Sequence, residues 1–220
     1  MQSNLLPISL IALALPLATP AAASDEDFEL WLNPTIQFDL DDNTAVQLET
    51  AQRLRDADRG RGDTYYGRFW VKQQIGDGLR LDGGIERRIN DGGADETRLL
   101  QQLNASSGIF RGRLRSEQRF REGTGGRMGL RLRSRIGAAV PLSEDGRWTG
   151  EASGELFWTL RGTSAGGDTG LTGLRTVVGV EYAVSDNVAV NLSYLRNQDF
   201  TDNAPDVVGH APLIGIDLSF

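Results

Sequence analysis

No cysteine occurs anywhere in the chain, and histidine occurs once, at His210. The first absence excludes disulfides and thiolate metal centres, leaving packing and backbone hydrogen bonds to hold the fold. With a single histidine and scattered carboxylates there is no tight ligand set, so neither a metal nor any other cofactor is expected. Also missing, beyond about residue 23, is any apolar run approaching the roughly 20 residues a membrane-crossing helix needs. Two classes survive these absences: an exported soluble domain, or a barrel whose membrane signal is spread over many short alternating strands.

Export itself is read from the first residues. Leu5 to Ala18 is apolar, and Ala21-Ala22-Ala23 is a small-residue cleavage signature before Ser24. Residues 1–23 are therefore expected to be a secretory signal peptide for the general secretory route, although Met1-Gln2-Ser3-Asn4 carries no basic side chain. Pro7 and Pro16 interrupt the run, which is too short for a membrane anchor. Residues 24–220 then form one domain.

Twofold alternation dominates that domain. Phe28, Leu30, Leu32, Ile36, Phe38 and Leu40 share one parity; Glu29, Asn33, Thr35, Gln37 and Asp39 share the other. The same grammar returns with Val46, Leu48 and Leu54 against Gln47, Glu49 and Arg53, and with Phe69 and Val71 against Arg68, Trp70 and Lys72. It runs on to Pro212, Ile214, Ile216, Leu218 and Phe220. Each stretch reads as a strand with one apolar face. Short connections fall near residues 41, 76, 106, 144 and 186. Longer polar ones fall near 55–63, 90–95, 122–127, 161–170 and 198–209. Short periplasmic turns, longer outer loops and a terminal Phe220 are the pattern of an outer-membrane barrel. The expected fold is an all-β, antiparallel transmembrane β-barrel of about 10–12 strands. Eleven segments are counted; a bacterial barrel with both ends in the periplasm has an even number, so ten or twelve are expected.

If the apolar parity meets lipid, the other lines the lumen. The chain carries a net charge of −7, yet Arg111 to Arg135 holds nine arginines against Glu117 and Glu122. Arginines alternating with apolar residues in an exported chain argue against a nucleic-acid surface. The expected lumen ladder starts with Arg80, Glu86 and Arg88, then Glu96 and Arg98. Arg111, Arg113, Arg115, Glu117 and Arg119 follow on one segment, and Arg131, Arg133 and Arg135 on the next. Glu151, Glu155, Arg175 and Glu181 complete it. Such charges must pair or stay wet. The favoured expectation is a ladder that stiffens the wall and fills the lumen; the sharper one is an anion pathway made by surplus arginine. Trp148 and Trp158 at the two ends of one segment, with Tyr182, Tyr194 and Phe120 near the ends of others, fit an aromatic girdle. A soluble β-sandwich also alternates, but its outward face has no need of so many alternate arginines.

Three blocks carry a family resemblance: Glu96-x-Arg98-x-x-Gln101-Gln102; Arg113-x-Arg115-x-Glu117-Gln118-Arg119-Phe120; and Arg131-Leu132-Arg133-x-Arg135. With Arg175-x-x-x-Gly179-x-x-Tyr182, the Ser185-Asp186-Asn187 turn, Tyr194-Leu195, Gly209-His210 and Phe220, the chain resembles the bacterial family known as domain of unknown function 2490. Ser134 stands where that family tends to have an aromatic residue. The resemblance implies location and architecture, and no activity.

Chemistry has few candidates. A lipid-modifying enzyme would need His210 beside a nucleophile, and Ser193 and Ser219 are the nearest hydroxyls by strand pairing, with no recognisable motif around either. No catalytic residue is assigned. The glycine-rich stretches Gly123–Gly126 and Gly166–Gly170 precede no helix that could hold a phosphate. The expectation is thus a non-enzymatic barrel, either a wall element or a narrow conduit for small polar or anionic solutes. Its expected partners are outer-membrane lipid and, during biogenesis, periplasmic chaperones and the barrel-assembly machinery, with no nucleic acid.

Overall fold

The computed structural model describes residues 25–55, 62–202 and 204–220; the proposed export signal, residues 1–23, lies outside the described residues. Eleven strands follow one another: β1 Asp25–Asp39, β2 Thr44–Arg55, β3 Thr64–Gly76, β4 Leu79–Asn90, β5 Glu96–Ser107, β6 Phe110–Arg121, β7 Met128–Pro141, β8 Trp148–Arg161, β9 Gly170–Ser185, β10 Val188–Asp199 and β11 Val207–Ser219. Each pairs antiparallel with the next, and β1 closes the barrel by pairing parallel with β11. The even count expected from the sequence is therefore wrong, and the eleven segments are all strands. An odd number closes because β1 and β11 run the same way, with Asp25 beside Val207 and Gln37 beside Ser219.

Pro34 does not split β1. It sits opposite Ile216 on the β11 side, while the β2 ladder passes from the Leu32–Gln52 pair directly to Thr35–Glu49. A residue without an N–H is tolerated where the ladder skips it.

Parity decides which side of the wall each residue takes, because successive side chains of a strand point to opposite faces. Every strand contributes exposed apolar residues to the outside, among them Phe38, Leu48, Phe69, Leu81, Leu99, Leu114, Ile136, Leu156, Val178, Leu192 and Ile214. Trp148 and Trp158 are 44% and 43% exposed on that face, and Trp148 lies against Tyr182 with ring centroids 4.6 Å apart. Monomeric soluble proteins rarely expose contiguous apolar patches above roughly 300–600 Å²; this belt encircles the molecule.

At one rim Asp77-Gly78 and Gly108-Ile109 connect strands with two residues each, using left-handed glycines at φ 65° and 54°. Asp186-Asn187 does so without glycine, and the register shifts between Val188 and Ala189 to accommodate it. Leu142–Arg147, on the same rim, has six residues, as many as Glu122–Arg127 on the other. The asymmetry of connections is thus weaker than the sequence pattern suggests.

Candidate functional site

The inward parity of β3 to β8 carries a charged network. Arg68 on β3 pairs with Glu49 on β2 (Nη1 to Oε2, 2.6 Å) and with Glu86 on β4. Glu86 also receives Arg88 at 3.1 Å and Arg98 at 3.3 Å. Glu96 takes Arg98 and Arg119, each at 2.6 Å. Glu155 takes Arg113 at 2.5 Å and Arg133 at 2.6 Å. Glu117 is 1% exposed and accepts from Arg131 at 2.6 Å and Arg133 at 2.9 Å, with Arg98 at 3.8 Å. Direct cross-strand neighbours are often of like charge, as in Arg98–Arg119 and Arg115–Arg133. Glu96 relieves both members of the first pair, and Glu117 and Glu155 relieve Arg133 of the second, which is the condition for holding charge out of water.

Among the described residues, three inward arginines that are not exposed lack that relief. Arg115 donates to the neutral Gln102 at 2.8 Å, Arg175 to the neutral Asn197 at 3.0 Å, and the buried Nε of Arg53 has no hydrogen-bond partner among the described residues. All three cover aromatic faces instead. Arg53 lies 3.8 Å from the Trp31 ring centroid, Arg175 4.9 Å from the same ring, and Arg115 5.0 Å from Trp70. The quadrupole of an aromatic face attracts a guanidinium but leaves its charge uncompensated. Trp70 has its place because Gly84 is opposite it: a Cβ there would meet the indole and come within 2.7 Å of the Phe69 carbonyl oxygen.

The remaining arc, β9 to β11 with β1, sets one apolar patch among polar lumen residues such as Asn33, Glu181, Asn191, Ser193, Asn197 and Asp217. Trp31, Leu195 and Ala211 are buried together, with Val177 and Leu213 against them. Between the two walls lies a cavity of about 770 Å³. It reaches the long-loop rim at Asp91–Gly93 and extends down to Glu151, Glu181 and Asp217, lined in all by thirteen arginines and seven carboxylates. The expectation that side chains fill the lumen therefore holds for one wall only. At its lower end Thr35 donates to Asp217 at 2.5 Å, and Lys72 donates to Gln37 at 2.7 Å.

Of the residues expected in the ladder, Glu86, Arg88, Glu96, Arg98, Arg113, Arg115, Glu117, Arg119, Arg131, Arg133 and Glu155 come together in this network or at its edge. Arg80 binds Asp82 at 2.8 Å lower down. Arg111 is exposed at the short-turn rim, donating to the Gly108 and Phe110 carbonyls. Arg135, Glu151 and Glu181 line the cavity and make no ion pair among the described residues. Arg175 lies beside the apolar patch, 4.9 Å from the Trp31 ring centroid. Glu29, Glu49, Arg53, Arg55, Arg68, Asp82 and the lumen aromatics Trp31, Tyr66, Trp70 and Phe157 were not in that expected set. Their parity placed them inside, and an aromatic ring on a polar parity was the signal.

His210 faces outward. Its ring stacks near Phe28, with centroids 5.4 Å apart, and its Nδ1 is 2.5 Å from the Tyr194 hydroxyl. Ser193 lines the cavity on the opposite side of the wall, and Ser219 lies at the far end of β11. The histidine has neither serine within reach.

Residues 28–208 match the family model described as a protein of unknown function, DUF2490. An uncharacterized protein of Methylorubrum extorquens strain AM1 is 30% identical over 206 residues, covering 85% of this chain and 86% of the relative. Among solved structures, a KdgM porin superposes with a TM-score of 0.47 at 11% identity, covering 74% of this chain and 81% of that one.

Proposed function

The chain belongs to the DUF2490 family of proteins of unknown function, and since that membership brings no activity with it, we propose from its geometry that it is a channel-like outer-membrane barrel admitting small anions. The barrel supports a membrane location by its surfaces. Its strands have 12 to 16 residues, against the roughly 9–11 that a tilted membrane strand needs. The outside presents apolar residues on every strand, and the paired charges of Glu86, Glu96, Glu117 and Glu155 with their arginines are inside. In this reading the two-residue turns face the periplasm, and export, chaperone delivery and insertion by the barrel-assembly machinery bring the chain there.

The observation that carries the anion preference is the excess of arginine over carboxylate around the cavity. A low-dielectric wall with positive lining concentrates anions and repels cations. The Arg/Glu network serves the same function by keeping the wall rigid around an unfilled space. A lipid-modifying role for His210 has less support, because Ser193 points into the lumen while the histidine points out.

The test is planar-bilayer recording of the refolded chain under a potassium chloride gradient. Small discrete conductance steps with a reversal potential on the chloride side are expected. An absence of steps, or a reversal potential on the potassium side, would remove the proposal.

A further inference from the structure

We infer that the boundary between the two lumen walls, at Arg53, Trp31 and Arg175, is a binding site for a small carboxylate with an apolar body. The inference rests on the reading of the lumen as anion-attracting and names what that attraction is shaped to hold.

Two guanidinium groups share one indole here. Arg53 lies 3.8 Å and Arg175 4.9 Å from the Trp31 ring centroid, and neither has a carboxylate within ion-pair distance among the described residues. Among the described residues, Arg53 keeps a buried Nε with no acceptor and Arg175 donates only to the neutral Asn197 oxygen. Buried cations without counter-charge are costly. Stacking fixes the plane of a guanidinium; Asn197 holds the Nε–Nη2 edge of Arg175, so a carboxylate meets the edge of Arg53 and the remaining Nη1 of Arg175 through charge-assisted hydrogen bonds.

Trp31 donates its indole N–H to the Glu29 carboxylate on one side, and on the other the neighbouring surface is apolar. On the ladder between β9 and β10, the Arg175–Asn197 pair is followed two residues along by Val177–Leu195, a spacing of about 7 Å. Leu213 is the β11 partner of Trp31. Val177, Leu195 and Leu213 line the cavity together with Arg53 and Arg175. An anion head held by the arginines therefore places whatever is bonded to it on apolar side chains. A bare inorganic anion uses only half of this surface.

The probe is cyclohexanecarboxylate, titrated by calorimetry into the whole refolded chain in detergent micelles against matched empty micelles, with acetate and cyclohexylmethanol in parallel. The ring should make cyclohexanecarboxylate bind about tenfold tighter than acetate, the equivalent of burying roughly two methylene groups. Cyclohexylmethanol should show no saturable heat. The double variant R53Q/R175Q, checked for folding by heat-modifiable gel migration, should bring cyclohexanecarboxylate to the level of acetate or below. Equal affinity for the two carboxylates, or a folded double variant that binds as tightly as the parent, overturns the site. If the double variant does not fold, Leu213→Asn leaves both arginines in place and must remove the tenfold advantage; retention of it overturns the site equally. Chloride selectivity in bilayers without this binding leaves the anion pathway standing and the site refuted. Loss of both refutes the pathway as well.

Discussion

The two walls of the lumen solve the same problem in opposite ways. From β3 to β8 the interior is held by charge: Glu86, Glu96, Glu117 and Glu155 each gather two or three arginines. From β9 round to β1 its buried centre is Trp31, Leu195 and Ala211, and the charges around it, Arg175, Glu181 and Asp217 among them, form no comparable network among the described residues. The first wall is rigid only while its pairing is complete, since removing one partner strands the others in a poor solvent. The second depends on contact area, which degrades gradually. The arginines left without carboxylates lie where the walls meet or beside an aromatic ring, so the surplus charge faces the open space.

Breaking each wall in turn should expose this difference. Glu117→Leu on the charged wall leaves Arg131 and Arg133 without their shared acceptor, and Arg98 without its more distant one. A loss of about 3–5 kcal/mol is expected in urea unfolding from micelles, and a loss near zero would mean that lumen water compensates the arginines. Leu195→Ala in the apolar patch should cost about 2 kcal/mol, the low end for a buried leucine because the site borders a cavity. A cost equal to that of Glu117→Leu would erase the distinction between the walls.

The smallest effect is expected outside both, at the short-turn rim. Asp41 accepts from the Asn43 and Thr44 backbone N–H groups, each at 2.8 Å. These bonds, that to Asn43 first, hold its carboxyl below the ordinary aspartate range. A depressed value means that its contribution is complete above the unfolded pKa and lost as the pH falls through the folded one. Asp41→Asn, which keeps the acceptor oxygen but cannot titrate, should unfold at nearly the same urea concentration at pH 7 and show less decline on acidification than the parent. A parallel decline in the two proteins would show that this turn contributes nothing to the acid response.

Much of the architecture was legible because the period of a strand is two and does not drift. The assignment of Leu99 outward and Arg98 inward follows from counting, and so do eleven segments. The closure was not legible, since nothing local tells β1 that its second neighbour is β11 or that the two run parallel. The pairing was hidden for a related reason: Glu117 meets arginines from β5 and β7 through cross-strand register, which depends on the whole barrel. Arg53 and Trp31 had the correct parity, but their direct pairing across β1 and β2 acquires meaning only beside Arg175, more than a hundred residues later. The loop rule misled where Leu142–Arg147 proved as long as an opposite connection.

The parallel β1–β11 pairing also has a cost in time. Thr35 and Asp217, hydrogen-bonded across that seam, are 182 residues apart in the chain, whereas every other strand pair joins immediate neighbours. Contacts of such separation demand the largest loop-closure entropy and slow the acquisition of structure. The hairpins can zip in any order; the ring is complete only when its first and last staves meet.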